Sequence, residues 1–112
     1  MTRGRLFEQW LVLECRRLID YAASEARLFF WRTNHGAEVD LLVEKHGRLL
    51  AAVEIKSSRR VTGADLEGLR SFAGEHPDVP RFVVTPSTEP RRIEEALVTT
   101  WADFLARFRE WL

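Results

Sequence analysis

The chain has 112 residues, 46% apolar and 30% charged, with Lys plus Arg and Asp plus Glu balanced at 17 each. That composition excludes a disordered or fibrous chain and a strongly basic nucleic-acid binder, so any nucleic-acid surface must be local. The single Cys15 excludes intrachain disulfides and fits a reducing compartment. Met1-Thr-Arg-Gly-Arg lacks a signal-peptide run, and no stretch reaches the roughly 20 apolar residues of a membrane span, so one cytoplasmic domain over residues 1–112 is expected, with no membrane partner.

Phe7, Trp10, Leu11, Leu18 and Ala22 recur at helical spacing between about Gly4 and Ser24, with Arg5, Gln9, Arg16 and Asp20 opposite them, which predicts an amphipathic first helix. Arg27 to Arg32, Ala37 to Lys45 and Leu49 to Lys56 read as three strands, punctuated by Asn34-His-Gly and His46-Gly. Thr62 followed by Asp65 has the form of a capping box. It opens a helix with Leu66, Leu69 and Phe72 facing inward, which stops around Gly74. Arg81 to Thr85 reads as a buried strand reached by a crossover, hence parallel to the third strand. Ala96 to Val98 can add a short strand, and Thr100-Trp-Ala-Asp103 caps a closing helix carrying Phe104, Leu105, Phe108 and Leu112. The order α-β-β-β-α-β-(β)-α predicts an α/β fold, a mixed central sheet flanked by helices on both faces.

The chemistry lies on the second and third strands. Val39, Leu41 and Val43 alternate with Glu38, Asp40 and Glu44, and Leu49, Ala51, Val53 and Ile55 form the apolar set of the next strand. Keeping both sets on one face rules out a two-residue His46-Gly47 turn and calls for a three-residue loop, His46 to Arg48. That loop pairs Lys45 with Leu49 and Asp40 with Glu54, and sets Lys56 across from Glu38. Two opposed carboxylates repel unless a cation lies between them or one is protonated. A divalent ion is the economical explanation, and oxygen ligands suit Mg²⁺ or Mn²⁺ better than zinc. Lys56 supplies a positive charge suited to holding an attacking water or a pentavalent phosphate. On the first helix, Glu8 and Glu14 fall within the arc of Phe7, Leu11, Cys15 and Leu18, where acids are seldom unpaired. Glu8 is placed to reach the ion as a third carboxylate, and Glu14 to pair with an arginine.

Glu38-Val-Asp40 followed by Val53-Glu54-Ile-Lys56 resembles the signature of the PD-(D/E)XK phosphodiesterase superfamily, and Gly4-Arg-Leu-Phe-Glu8 looks like the first-helix acid motif of its Holliday-junction-resolvase branch. More narrowly, Phe7-Glu8, Phe30 to Thr33, Gly36 to Asp40 and Val53 to Ser58 look like the C-terminal domain carried by a group of prokaryotic AAA+ ATPases. Val39 stands where that signature can have proline. The resemblance implies a restriction-endonuclease-like fold and metal-dependent hydrolysis of nucleic acid, most naturally DNA. Asp40, Glu54 and the carbonyl of Ile55 would bind the metal, Glu8 would assist, and Lys56 would activate water. Arg32, Arg59 and Arg60, near strand ends, would then engage phosphates, although solvated surface charge explains them equally well. An AAA+ ATPase module is the implied partner. The chain has no phosphate-binding Gly-X4-Gly-Lys-Ser/Thr loop of its own, so ATP hydrolysis is not expected of it.

The competing reading keeps the fold and drops the chemistry, leaving an inactive nuclease-fold module for DNA binding or for regulating an AAA+ ATPase. A plain salt-bridge ladder would explain Lys56 but not the opposed acids. His35, His46 and His76 sit in turn contexts and receive no role. Trp10, Phe72, Trp101, Phe104 and Phe108 fall at core spacings, while an exposed aromatic patch at Phe30 or Trp111 would point to dimerisation. Nucleases of this fold often work in pairs, so the resemblance also implies a homodimer.

Overall fold

In the computed structural model, which describes residues 3–112, the chain runs α1 (Arg3–Tyr21), β1 (Arg27–Arg32), β2 (Glu38–Lys45), β3 (Arg48–Ile55), a 3-10 turn (Gly63–Leu66), α2 (Glu67–Glu75), β4 (Arg81–Thr85), β5 (Arg91–Ile93), β6 (Ala96–Thr100) and α3 (Trp101–Trp111). The strands form one mixed six-stranded sheet in the order β1-β2-β3-β4-β6-β5. β3–β4 and β4–β6 are parallel, and the remaining pairs are antiparallel. The fold is therefore α/β with helices on both faces. β5 is the one strand that periodicity does not announce, since Arg91-Arg92-Ile93 is short and exposed.

The sheet separates two apolar layers. On one side Leu11 and Cys15 of α1 and Phe104, Leu105 and Phe108 of α3 pack over Leu41, Val43, Ala51, Val53, Phe82 and Val84. On the other, Leu69 and Phe72 of α2 join Val39, Leu42, Ala52, Val83 and Val98. A strand buried on both faces has no polar side, which is why Leu42 breaks the alternation of β2. Burial desolvates the Cys15 thiol and, with Glu14 nearby, pushes its pKa up to about 12. Two expected core residues lie elsewhere. Trp10 and Trp101 remain 39% and 38% exposed and meet edge to face at 5.1 Å, one on α1 and the other at the start of α3. Ala22 lies past the end of α1 and is exposed.

The hairpin loop also differs from expectation. His46 and Gly47 form a two-residue turn, with Lys45 opposite Arg48 and both central residues at positive φ (54° and 79°), the conformation whose twist suits a hairpin. The register that this turn imposes is changed a few residues later. Glu44 pairs with Leu49 but Val43 pairs with Ala51, so β3 carries an extra residue there. Leu50 and Ala51 consequently face the same apolar layer. From Val43 on, the pairing is the one the alternation demands. The sequence reading put the extra residue in the loop, whereas the chain places it in the strand.

β2 has a bulge of its own. Against β1, Phe29 pairs with Leu42 and Trp31 with Val39, which leaves one more residue on β2 than on β1 across Asp40-Leu41. Val39 therefore packs with α2, while Leu41 packs with α1 and α3. β1 is an edge strand with Phe29 and Phe30 exposed. Arg27 lies over the Phe29 ring at 5.4 Å and Arg32 over Phe30 at 5.1 Å, so charge screens an edge that would otherwise invite pairing.

No helix among the described residues is long and apolar enough to cross a membrane.

α2 sits against β2 at Gly68, where a Cβ would come within 1.8 Å of the Glu38 carbonyl oxygen, a backbone atom that cannot yield cheaply. Gly68→Ala is expected to destabilise the fold by about 2 kcal/mol or more in urea unfolding. Gly74→Ala on the same helix meets nothing within 4 Å and is expected to be neutral or stabilising by up to about 1 kcal/mol.

Candidate functional site

The antiparallel ladder of β2 and β3 ends at Leu41 opposite Val53, and one further step sets Asp40 opposite Glu54. There the side chain takes over from the backbone, since the Ile55 N–H donates to Asp40 Oδ2 at 2.8 Å. Because β2 bulges at this point, Asp40 lies across the strand end and reaches the Ile55 amide, and its carboxyl and that of Glu54 are hydrogen-bonded to each other. The third strand continues straight into β4 pairing, with the Lys56 N–H donating to Val84 O at 2.9 Å, which fixes the backbone on which Glu54 and Lys56 stand.

Burial dominates the electrostatics. It raises the pKa of Asp40, an effect that the Ile55 amide and the Glu54 hydrogen bond partly offset. Burial together with the neighbouring Asp40 pushes Glu54 from its ordinary 4.5 to about 9, and Glu8 and Asp65 add to the rise. The pair thus holds one proton between two carboxylates. Glu8, half-buried on α1, is itself raised, first by desolvation and then by Asp40 and Glu38, with Arg5 opposing. Three helix and strand ends therefore bring acids to one corner of the sheet.

Lys56 points elsewhere than the sequence reading placed it. Its Nζ donates to Asp65 Oδ1 at 2.7 Å, and the ammonium holds the Asp65 carboxyl below its usual range. The other Asp65 oxygen accepts from the Thr62 N–H at 2.9 Å, so the residue expected only to cap the second helix also anchors the lysine. Thr62-X-X-Asp65 was visible as a cap, but nothing in a linear pattern reveals that the same carboxylate spans to Lys56. Glu38, expected across from Lys56, pairs with Arg32 at 3.3 Å. Arg32 is thereby occupied on both sides, by Glu38 and by the Phe30 ring. Arg59 and Arg60 are exposed in the bend after β3 and form no ion pair among the described residues. Glu14 pairs with Arg17 on its own helix and takes no part in the site.

Asp40, Glu54 and Glu8 are thus brought into one electrostatic cluster, with Lys56 and Asp65 beside it. Among the described residues no three His, Cys, Asp or Glu side chains gather closely enough to hold a metal by themselves. The donor set is two touching carboxylates, with a third facing them. Such a set suits a hard cation that keeps most of its water, and does not suit zinc, which takes four closed ligands in its structural sites.

A raised Glu54 has a direct consequence for stability. The native state keeps a proton that the unfolded chain releases near pH 4.5, so the contribution is fully present below that pH and is lost as pH rises toward about 9. The urea midpoint is expected to fall between pH 5 and pH 9. Glu54→Gln, which mimics the protonated form, is expected to flatten that fall; an unchanged slope in this variant would remove Glu54 as its source.

No curated protein and no solved structure gives a significant match to the chain. A family model does, over residues 3–104, which span every element through the first turn of α3 and include the whole acidic corner. By that match the chain belongs to the family described as the domain of unknown function DUF4143.

Proposed function

We propose that the chain is a restriction-endonuclease-like, divalent-metal-dependent phosphodiesterase that hydrolyses nucleic acid, with DNA as the substrate. The observation that carries this reading is the hydrogen-bonded Asp40–Glu54 pair. A fold gains nothing from pressing two acids together in a desolvated corner unless positive charge is to enter. Asp40, Glu54 and the Ile55 carbonyl are the residues that would hold Mg²⁺ or Mn²⁺, with Glu8 facing them from α1. Bound there, the ion would supply Lewis-acid stabilisation of phosphoryl charge and a water of lowered pKa.

The remaining chemistry belongs to the side chains. The proton shared by Asp40 and Glu54 must leave before both can act as ligands, so ion binding releases a proton and strengthens as pH rises. The Ile55 amide keeps Asp40 oriented during that change. Lys56, two residues beyond Glu54, is held at the rim by Asp65, where its ammonium can oppose negative charge on a phosphoryl oxygen or position a water. Arg59 and Arg60 stand exposed on the segment that follows and can neutralise flanking phosphates, which would make binding salt-dependent.

A second reading has its own support. Lys56 is ion-paired with Asp65, and among the described residues no third carboxylate closes on the Asp40–Glu54 pair. Under that reading the fold is an inactive nuclease-like module, used for DNA binding or to regulate an AAA+ ATPase.

Calorimetric titration with Mg²⁺ and Mn²⁺ separates these readings when combined with a cleavage assay on mixed DNA substrates. The phosphodiesterase requires binding that is abolished by both Asp40→Ala and Glu54→Ala, together with cleavage reduced about 10²-fold or more by Lys56→Ala. Metal binding without cleavage would favour the inactive module. Absence of binding at millimolar metal would remove the metal centre altogether. In the binding-competent case, proton release measured in buffers of different ionisation enthalpy is expected to accompany metal uptake at pH 7.

A further inference from the structure

At the end of the sheet away from the acidic corner, Arg81 of β4, Arg92 of β5 and Arg107 of α3 line one hollow of about 270 Å³. Leu50 on its wall and Glu54 in the acidic corner are four residues apart on β3, roughly 13 Å along an extended strand, and none of Glu8, Asp40, Glu54 or Lys56 lines the hollow. Glu95 is the one carboxylate among the residues that line the hollow, and it pairs with Arg81. We propose that this hollow is a phosphate site that takes the phosphoryl group of a nucleotide or of a nucleic-acid strand.

Arg81 is the central observation. Only 14% of its side chain is exposed, its Nη2 donates to Glu95 at 3.0 Å, and its Nε is buried without an acceptor. A buried guanidinium presents donors in a fixed fork, and an unfilled donor at that depth is costly. The partner it does have is poorly suited to be permanent. The Glu95 side chain is 86% exposed and stands on a two-residue turn whose residues, Glu94 and Glu95, both take left-handed conformations (φ 49° and 69°) that favour glycine or asparagine.

That strained turn is clasped from outside. Arg70 grips Glu94 with two hydrogen bonds, at 2.7 and 2.9 Å, and Arg92 donates to the Glu95 carbonyl at 3.2 Å. Strain held in place by several contacts is characteristic of sites that are shaped in advance. The walls supply the rest. Arg107 lies over the buried Phe82 ring at 5.8 Å, and the half-buried Trp111 closes the same side, so an apolar wall adjoins the guanidinium donors. Three arginines lining one hollow supply donors for the oxygens of a phosphoryl group, and the half-buried Trp111 suits a base or sugar attached to it. Glu95 then acts as an internal counter-ion that the phosphate replaces.

Calorimetry with EDTA present keeps divalent ions out, using inorganic phosphate, AMP and a short oligothymidylate as probes and acetate as a control. Expected are binding of phosphate and tighter binding of AMP, a loss of about tenfold in each of Arg92→Gln and Arg107→Gln, and tightening in Glu95→Gln. These three positions are tested in place of Arg81, whose removal can unfold the chain. Oligothymidylate binding tighter than AMP and lost in the same two arginine variants assigns the phosphate to a nucleic-acid strand; AMP binding alone assigns it to a nucleotide. The proposal is overturned if no probe binds at millimolar concentration, if acetate binds equally well, or if the arginine variants bind as the native protein does.

Discussion

Two carboxyl groups sharing one proton at the end of a β-hairpin are the constraint on which the rest of the site depends. Asp40 and Glu54 can meet only because β2 bulges where the ladder stops and because Asp40 accepts the Ile55 amide that would otherwise face β2. Their contact is tolerable while one is protonated, which burial enforces. Every neighbouring group can be understood from that condition. Glu8 approaches from α1 and deepens the negative potential, Arg5 relieves part of it, and Lys56 is kept at the edge by an acid of its own. The corner is thus short of positive charge at its centre and supplied with it at its rim.

Much of this was legible in the chain. Strands Arg27–Arg32 and Arg81–Thr85 are bounded by chemistry that periodicity reads directly, and the Thr100 cap with Phe104, Leu105 and Phe108 fixes α3. The register from Val43 to Leu41 was also derivable from the parity that burial of an apolar face imposes, although Val39 and Leu49 pack on the opposite layer from the rest of their sets. What parity cannot say is where the extra residue goes. A loop of three and a turn of two followed by a bulge at Leu50 give the same register beyond Val43, and only the three-dimensional packing of Leu50 and Ala51 selects the second.

The residues that were misplaced share a physical cause. Lys56 and Glu38 are long, partly exposed side chains at strand ends, and each found a better partner than the strand pairing offered, in Asp65 and Arg32. Trp10 and Trp101 occupy core spacings on two helices that meet at their margin, so each covers the other at the boundary with water. β5 escaped notice because its existence depends on a turn built from two glutamates, residues that carry no turn signal and are held there by arginines distant in sequence.

The bulge at Leu50 insulates one part of the hairpin from another. Because the change of register occurs within the strand, the loop end of the hairpin and the acidic end are separated by the bulge. The His46-Gly47 turn can be replaced by any pair of residues that accepts left-handed backbone without moving Asp40 relative to Glu54. A one-residue insertion at the turn is therefore better absorbed than one between Ala51 and Glu54, where nothing lies between the change and the acidic corner.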